Sequence, residues 1–135
     1  MLKEIRVFSC IEKQRLAQCK SDRNLIKKSF LEEDGLPKLL SYKLSLDGGE
    51  LLMNDAGKSL DKWYRMGFSR AHRMKFTCEM LRQVVRALNK LHDLGFSHGD
   101  IKPENICAKY NDKGELIFTL IDFGVSLRLF KYGQQ

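Results

Sequence analysis

Across His98-Gly99-Asp100-Ile101-Lys102-Pro103-Glu104-Asn105 the chain sets a carboxylate, an ammonium and an amide within six positions, and Ile121-Asp122-Phe123-Gly124 returns a second carboxylate 22 positions after the first. These are the parts that moving a phosphoryl group requires. One carboxylate orients the attacking hydroxyl, a cation offsets charge on the group in transit, and an amide oxygen with a second carboxylate holds a magnesium ion. Taken singly, Asp100 or Asp122 reads as a turn former, because aspartate bonds its own backbone two residues on. The joint spacing with Lys102, Asn105 and Gly124 favours the chemical reading.

The elements that must carry these residues follow from periodicity. Ile5, Phe8, Ile11 and Leu16 recur at helical spacing over residues 1–20. Residues 20–34 are polar and end in the acids Glu32-Glu33-Asp34 before Gly35, a loop or short helix. From Leu36 the period becomes two: Leu40, Tyr42, Leu44 and Leu46 alternate with polar residues. Asp47-Gly48-Gly49 offers the positive φ of a tight turn and Leu51-Leu52-Met53 returns, a β-hairpin. Gly57-Lys58-Ser59-Leu60 reads as a linker and Trp63 and Tyr64 as part of a short helix starting near Leu60. Ser69 is placed to N-cap a long helix from Arg70 to Asp93, with Met74, Phe76, Met80, Leu81, Val84, Val85, Leu88 and Leu91 as its apolar positions and Gly95 as its left-handed stop. Ile106-Cys107-Ala108 and Leu116 to Ile121 read as two short strands around the turn Asn111-Asp112-Lys113-Gly114.

With 135 residues, 43% of them hydrophobic and 30% charged, the chain is a folded domain or part of one. No apolar run approaches the ~20 residues of a membrane span, and Met1-Leu2-Lys3-Glu4 is no secretory signal, so no membrane partner and a cytoplasmic or nuclear setting are expected. Cys10, Cys19, Cys78 and Cys107 lack C-x-x-C spacing and read as reduced thiols without zinc. The net charge of +7 is spread and interrupted by acids, with no aromatic residues interleaved for base stacking. It fits solvated faces with some attraction for ATP or acidic peptides, not nucleic acid.

The two motifs, in this order, resemble the catalytic loop and the metal-binding loop of eukaryotic protein kinases, in the arrangement of the serine/threonine type. The resemblance implies an α+β, protein-kinase-like fold represented in part: a remnant of the small lobe at 1–53 (helix plus β-hairpin), a hinge at 54–59, and the first part of the helical large lobe, with both loops, at 60–135. It implies ATP and Mg²⁺ as cofactors and a protein substrate offering a Ser or Thr hydroxyl. Asp100 would position that hydroxyl and Lys102 would stabilise the transferring group. Asn105 and Asp122 would ligate the metal through hard oxygens. Met53 would guard the back of the nucleotide pocket, Asn54-Asp55-Ala56 would read adenine through main-chain groups, and Ser59 and Cys107 would complete the nucleotide site, Cys107 beneath the adenine ring. Glu4 would stand where an acid pairs with the phosphate-binding lysine, or it is an exposed helix glutamate. His98 would support its loop, and Phe123 would pack behind the metal loop.

Some positions depart from the family pattern. Gly99 stands where most of these enzymes carry an arginine that pairs with an activation-loop phosphate, so that mode of switching is not expected. No G-x-G-x-x-G loop and no V-A-I-K-like strand occurs, and an A-P-E motif is missing. In the family, later helices cover the helix at 70–93. Without them several apolar side chains would face water, each forgoing ~1.5–3 kcal/mol, which compares with a whole domain's net stability of ~5–15 kcal/mol. The expectation is a truncated kinase-like chain, doubtful as an autonomous enzyme. Its alternative is a catalytically inactive, pseudokinase-like or interaction fragment, with a partner supplying the missing parts.

Overall fold

The computed structural model describes residues 2–20 and 34–128, with the side chains of 17–20 and 127–128 outside that description. The loop or short helix expected at 20–34 therefore falls largely outside the described residues. The chain runs through helix α1 (Leu2–Lys20), the hairpin β1 (Leu39–Ser45) and β2 (Gly48–Met53), β3 (Lys58–Ser59), α2 (Leu60–Arg65), α3 (Arg70–Asp93), β4 (Phe96–Ser97), a 3₁₀ turn (Pro103–Asn105), β5 (Ile106–Tyr110), β6 (Leu116–Leu120) and β7 (Leu127–Arg128). Three small antiparallel sheets result, β1-β2, β3-β5-β6 and β4-β7. The architecture is α+β, a helix and hairpin followed by helices and short strands.

Helix α3 begins at Ser69, whose Oγ accepts from the His72 N–H, and stops before Gly95 at φ +86°. It divides the core in two. Toward its C-terminal end, Ala87 and Leu91 pack with Val7, Phe8 and Ile11 of α1, Leu36, Phe96 and Phe123, and with half-buried Leu39, Leu51 and Met53 of the hairpin. Farther toward its N-terminus, Phe76 and Val84 pack with Leu60, Ile106, Ala108, Phe118 and Leu120. The Gln83 side chain acts as a short substitute strand beside β6. Its Nε2 donates to Leu116 O at 2.8 Å and its Oε1 accepts from the Phe118 N–H at 2.9 Å, which satisfies backbone groups at that edge.

Several expectations need correction. The hairpin turns at Leu46-Asp47, one residue early, and Gly48 (φ +144°) already opens β2. Lys58–Ser59 is not a linker but a strand, paired with Ala108 and Cys107. On α1 Val7 is buried whereas Leu16 is 52% exposed, because the helix meets the rest of the molecule over a narrower stripe than its apolar residues cover. On α3, Met74, Leu81 and Val85 face solvent, as expected of several of its apolar positions, whereas small Ala87, outside those positions, is fully buried against Gly35, where an added Cβ would stand 2.7 Å from the Ala87 Cβ. The apolar side chains of β1 at Tyr42 and Leu44 are exposed as well. No helix among the described residues is long and apolar enough to cross a membrane.

An ion-pair clamp joins α1 to the chain entering the hairpin. The Arg15 guanidinium grips both carboxylate oxygens of Asp34 (Nε–Oδ2 3.1 Å, Nη2–Oδ1 2.9 Å) and also donates to Leu36 O at 3.1 Å. Lys90 of α3 reaches Asp34 Oδ2 at 3.7 Å. The Asp34 and Arg15 side chains are 6% and 11% exposed, and Arg15 also meets Glu12 Oε1 at 2.6 Å, so removing Asp34 leaves the guanidinium without its bidentate partner and with Glu12 as its remaining carboxylate. Asp34→Ala is expected to lower the unfolding free energy by about 3–5 kcal/mol in urea titration. A loss below about 1 kcal/mol would class the pair with weak surface bridges.

Candidate active site

The loops at 98–105 and 121–124 are brought together by His98. Its ring is buried, with Nε2 2.7 Å from Ile121 O and Nδ1 accepting the Asp100 N–H at 3.1 Å. That pattern fits a ring that donates from Nε2 and accepts at Nδ1, a tie between two loops. Ser126 Oγ donates to His98 O at 3.2 Å and holds the same junction from the other side. Phe123 is buried between the His98 ring (5.5 Å) and Phe8 of α1 (5.4 Å), edge to face with both. The supporting role expected of His98 and the core packing expected of Phe123 are both observed.

Asn105 is buried beneath this junction. Its Nδ2 donates to Asp100 O at 2.9 Å and to Asp100 Oδ2 at 3.1 Å, and its own carbonyl accepts the Ile121 N–H at 2.8 Å. The amide nitrogen is thus engaged on Asp100, while the backbone bond sets Asn105 beside the residue preceding Asp122. Lys102 Nζ lies 3.3 Å from Asp100 Oδ2, and both side chains keep solvent access at 49% and 37%. Among the described residues Asp122 is the one non-glycine with positive φ (+65°), and its Oδ1 accepts the Gly124 N–H at 3.1 Å. A left-handed backbone costs ~1–3 kcal/mol unless the surroundings impose it, and such strain gathers at functional loops. Glu4 comes to this loop too: a Cβ added to Gly124 would stand 3.3 Å from Glu4 Oε1 and 3.2 Å from Asp122 Oδ1. Gly99 has φ +84°, and a Cβ there would approach Val125 O to 3.1 Å, a local reason for glycine at this position.

Of the residues expected to hold the nucleotide, Met53, Ser59 and Cys107 lie on β2, β3 and β5, and Asn54 and Ala56 on the segment between β2 and β3. Asn54 leaves β2 with its N–H donating to Lys38 O at 3.0 Å and its Oδ1 accepting the Lys38 N–H at 2.7 Å, so its backbone N–H is spent within the chain. Met53 packs half-buried on the cluster containing Phe123. Ala56 is half-buried, and Ser59 pairs directly across from Cys107 in the β3–β5 ladder. Burial pushes the Cys107 thiol above its ordinary pKa. A cavity of about 650 Å³ between α3 and the β5–β6 hairpin, lined by Phe68, His72 and Tyr110 among others, lies away from this cluster.

The donor set suits a hard cation that keeps part of its water. No group of three His, Cys, Asp or Glu side chains among the described residues could cage a metal. One carboxylate and one amide oxygen, Asp122 and Asn105, match an ion that takes its remaining ligands from water and phosphate, as Mg²⁺ does. Three contributors escaped the sequence reading. Arg15 and Asp34 look like members of solvated charge runs, and no local pattern signals that they meet. Ser126 carries no motif beyond its closeness to Gly124.

Comparison with known proteins gives the class. The family model described as protein kinase domain matches residues 50–134. The chain is 38% identical over 61 residues to a Dictyostelium discoideum protein named as a probable myosin light chain kinase, covering 45% of this chain and 15% of that one. To calcium-dependent protein kinase 4 of Plasmodium berghei it is 30% identical over 106 residues, 78% of this chain and 17% of the relative. To the serine/threonine-protein kinase/endoribonuclease IRE1b of Arabidopsis thaliana it is 34% identical over 73 residues, 54% and 8% respectively. The chain belongs to the protein kinase domain family. Its matched part spans under a fifth of each of these relatives.

The contrast between buried and exposed thiols is directly measurable. With a small maleimide at neutral pH, exposed Cys78 is expected to label quickly, whereas Cys107, buried and with its thiolate disfavoured, labels at least about tenfold more slowly. Peptide mass spectrometry over time reads the order, and equal rates would contradict the packing of β5.

Proposed function

We propose that this chain carries the catalytic and metal-binding loops of an ATP-dependent serine/threonine protein kinase. In this reading residues 1–53 are small-lobe elements, 54–59 the hinge and 60–135 the beginning of the large lobe. The single observation that supports it most is the bonding of Asn105, which contacts the Asp100 carboxylate through its side chain and the Asp122 loop through its backbone. Asn105 thus links the two loops that carry these acids, which are distant in sequence.

Asp100 accepts the hydrogen bond of a substrate Ser or Thr hydroxyl and aims its oxygen at the terminal phosphate. Lys102, half-exposed beside Asp100, offsets negative charge on the transferring group. Asn105 Oδ1 and the Asp122 carboxylate hold Mg²⁺, which when bound screens the phosphate oxygens. Met53, the Asn54 carbonyl, Ala56, Ser59 and Cys107 border the base and sugar. The partners in this reading are ATP and a protein substrate, with no membrane or nucleic acid involved. A second reading, a non-catalytic interaction module completed by a partner, is supported by the exposed apolar side chains of β1 and α3.

Asp100→Asn is expected to lower phosphoryl transfer from γ-³²P-ATP to a serine peptide by on the order of 10²–10⁴-fold with little change in nucleotide affinity. An unchanged rate would remove Asp100 from the chemistry. Asp122→Asn is expected to weaken ATP binding in Mg²⁺, by calorimetry, at least about tenfold while leaving the Mg²⁺-free affinity alike. If both affinities stay the same, the metal role fails. An unsubstituted chain that binds Mg²⁺-ATP but transfers nothing would select the second reading.

A further inference from the structure

Helix α1 carries two stripes with different surroundings. Phe8, Ile11 and Arg15 face the core and the Asp34 clamp, and Glu4 lies beside the 122–124 loop. Lys3, Arg6 and Lys13 lie on another stripe and line a cleft of about 510 Å³ whose other walls include Val7, Phe96 of β4 and Ser126. That volume is in the ~300–1,000 Å³ range of built ligand sites. Its inner wall is apolar, Val7 and Phe96 being buried, and among the described residues no acidic side chain lines it. Three cations around an apolar wall, with no carboxylate to neutralise them, call for an occupant with the opposite charge and one apolar group.

We propose that this cleft docks an acidic peptide segment of a partner protein. One apolar side chain enters against Val7 and Phe96, and carboxylate or phosphate groups flanking it meet Lys3, Arg6 and Lys13. Dimensions favour a peptide: from position 3 to position 13 a helix rises ~15 Å, the length of roughly five extended residues. Among the described residues no aromatic ring beyond Phe96 lines the cleft to stack successive bases, which argues against single-stranded nucleic acid. A continuous membrane surface reaches the rim of a cleft more readily than its inner wall. Asp100, Asn105 and Asp122 do not line the cleft, although its Ser126 wall also bonds His98 O, so the inference stands without the catalytic reading.

The test is fluorescence anisotropy on the whole chain in EDTA without nucleotide, with a fluorescein-labelled heptapeptide of glutamates around a central phenylalanine, and a second version bearing phosphoserine beside the phenylalanine. Saturable binding is expected, weakened at least about tenfold by Arg6→Glu with Lys13→Glu, and weakened also when glycine replaces the central phenylalanine. Arg70→Glu with Arg73→Glu, which alters cations of α3 outside the cleft, is expected to leave affinity within about twofold. Tighter binding of the phosphoserine version would assign phosphate as the preferred anion, and equal binding would assign carboxylate. Both sit within the proposal. Circular dichroism checks folding, and the milder Arg6→Gln with Lys13→Gln pair replaces the first should that one unfold. No binding of either peptide, equal loss from the α3 variants, or competition by phosphatidylserine vesicles or a DNA oligonucleotide that depends on Arg6 and Lys13 would overturn it.

Discussion

The burial of Phe123 between Phe8 and His98 is the constraint on which the rest of the site depends. Aspartate at 122 can hold a left-handed backbone because its neighbour is fixed in the core, edge to face with rings from α1 and from the loop before Asp100. The apolar anchor thus determines where a polar group stands. Free of that anchor, the short loop at 121–124 would keep the His98–Ile121 bond, the Asp122–Gly124 contact and its backbone bonds, none of which fixes the ring of Phe123. The same ring unites three parts of the chain that share no continuous secondary structure, and Asn105 and Glu4 converge on the loop it secures.

Polar groups complete what the aromatic stack begins. His98 spends both ring nitrogens on backbone groups, one on each loop, so it acts as a joint and not as a proton carrier. Asn105 joins the same loops from below, and Arg15 with Asp34 and Lys90 ties α1 toward α3. Each is a buried or half-buried polar contact whose value lies in geometry. Desolvating such groups is costly, and the return is one defined arrangement of helix and loops.

The local elements were legible because their signals are local. Ser69 as N-cap and Gly95 as stop bracket α3 by capping chemistry that depends on adjacent residues alone, and the short helix at Leu60 and the strand pair around Asn111 follow in the same way. Burial was less legible. That several apolar positions of α3 face solvent was expected, but Ala87, outside those positions, is fully buried, since periodicity gives the face of a helix but not what lies against it. Ser59 read as linker because a two-residue strand has no period to detect, and only its partner Cys107 makes it one.

By itself, the sequence determined the chemistry that is available. An acid, an ammonium and an amide at 100, 102 and 105, and an acid before Phe-Gly at 122, are covalent facts, and their spacing carries the family resemblance. Tertiary structure alone decided that Asn105 turns its amide nitrogen to Asp100, that Glu4 comes beside Gly124, that Arg15 finds Asp34, and that Lys3, Arg6 and Lys13 line one cleft. The physical reason is range. Capping and turn preferences act over a few residues, whereas these meetings are set by how apolar faces from distant segments bury one another.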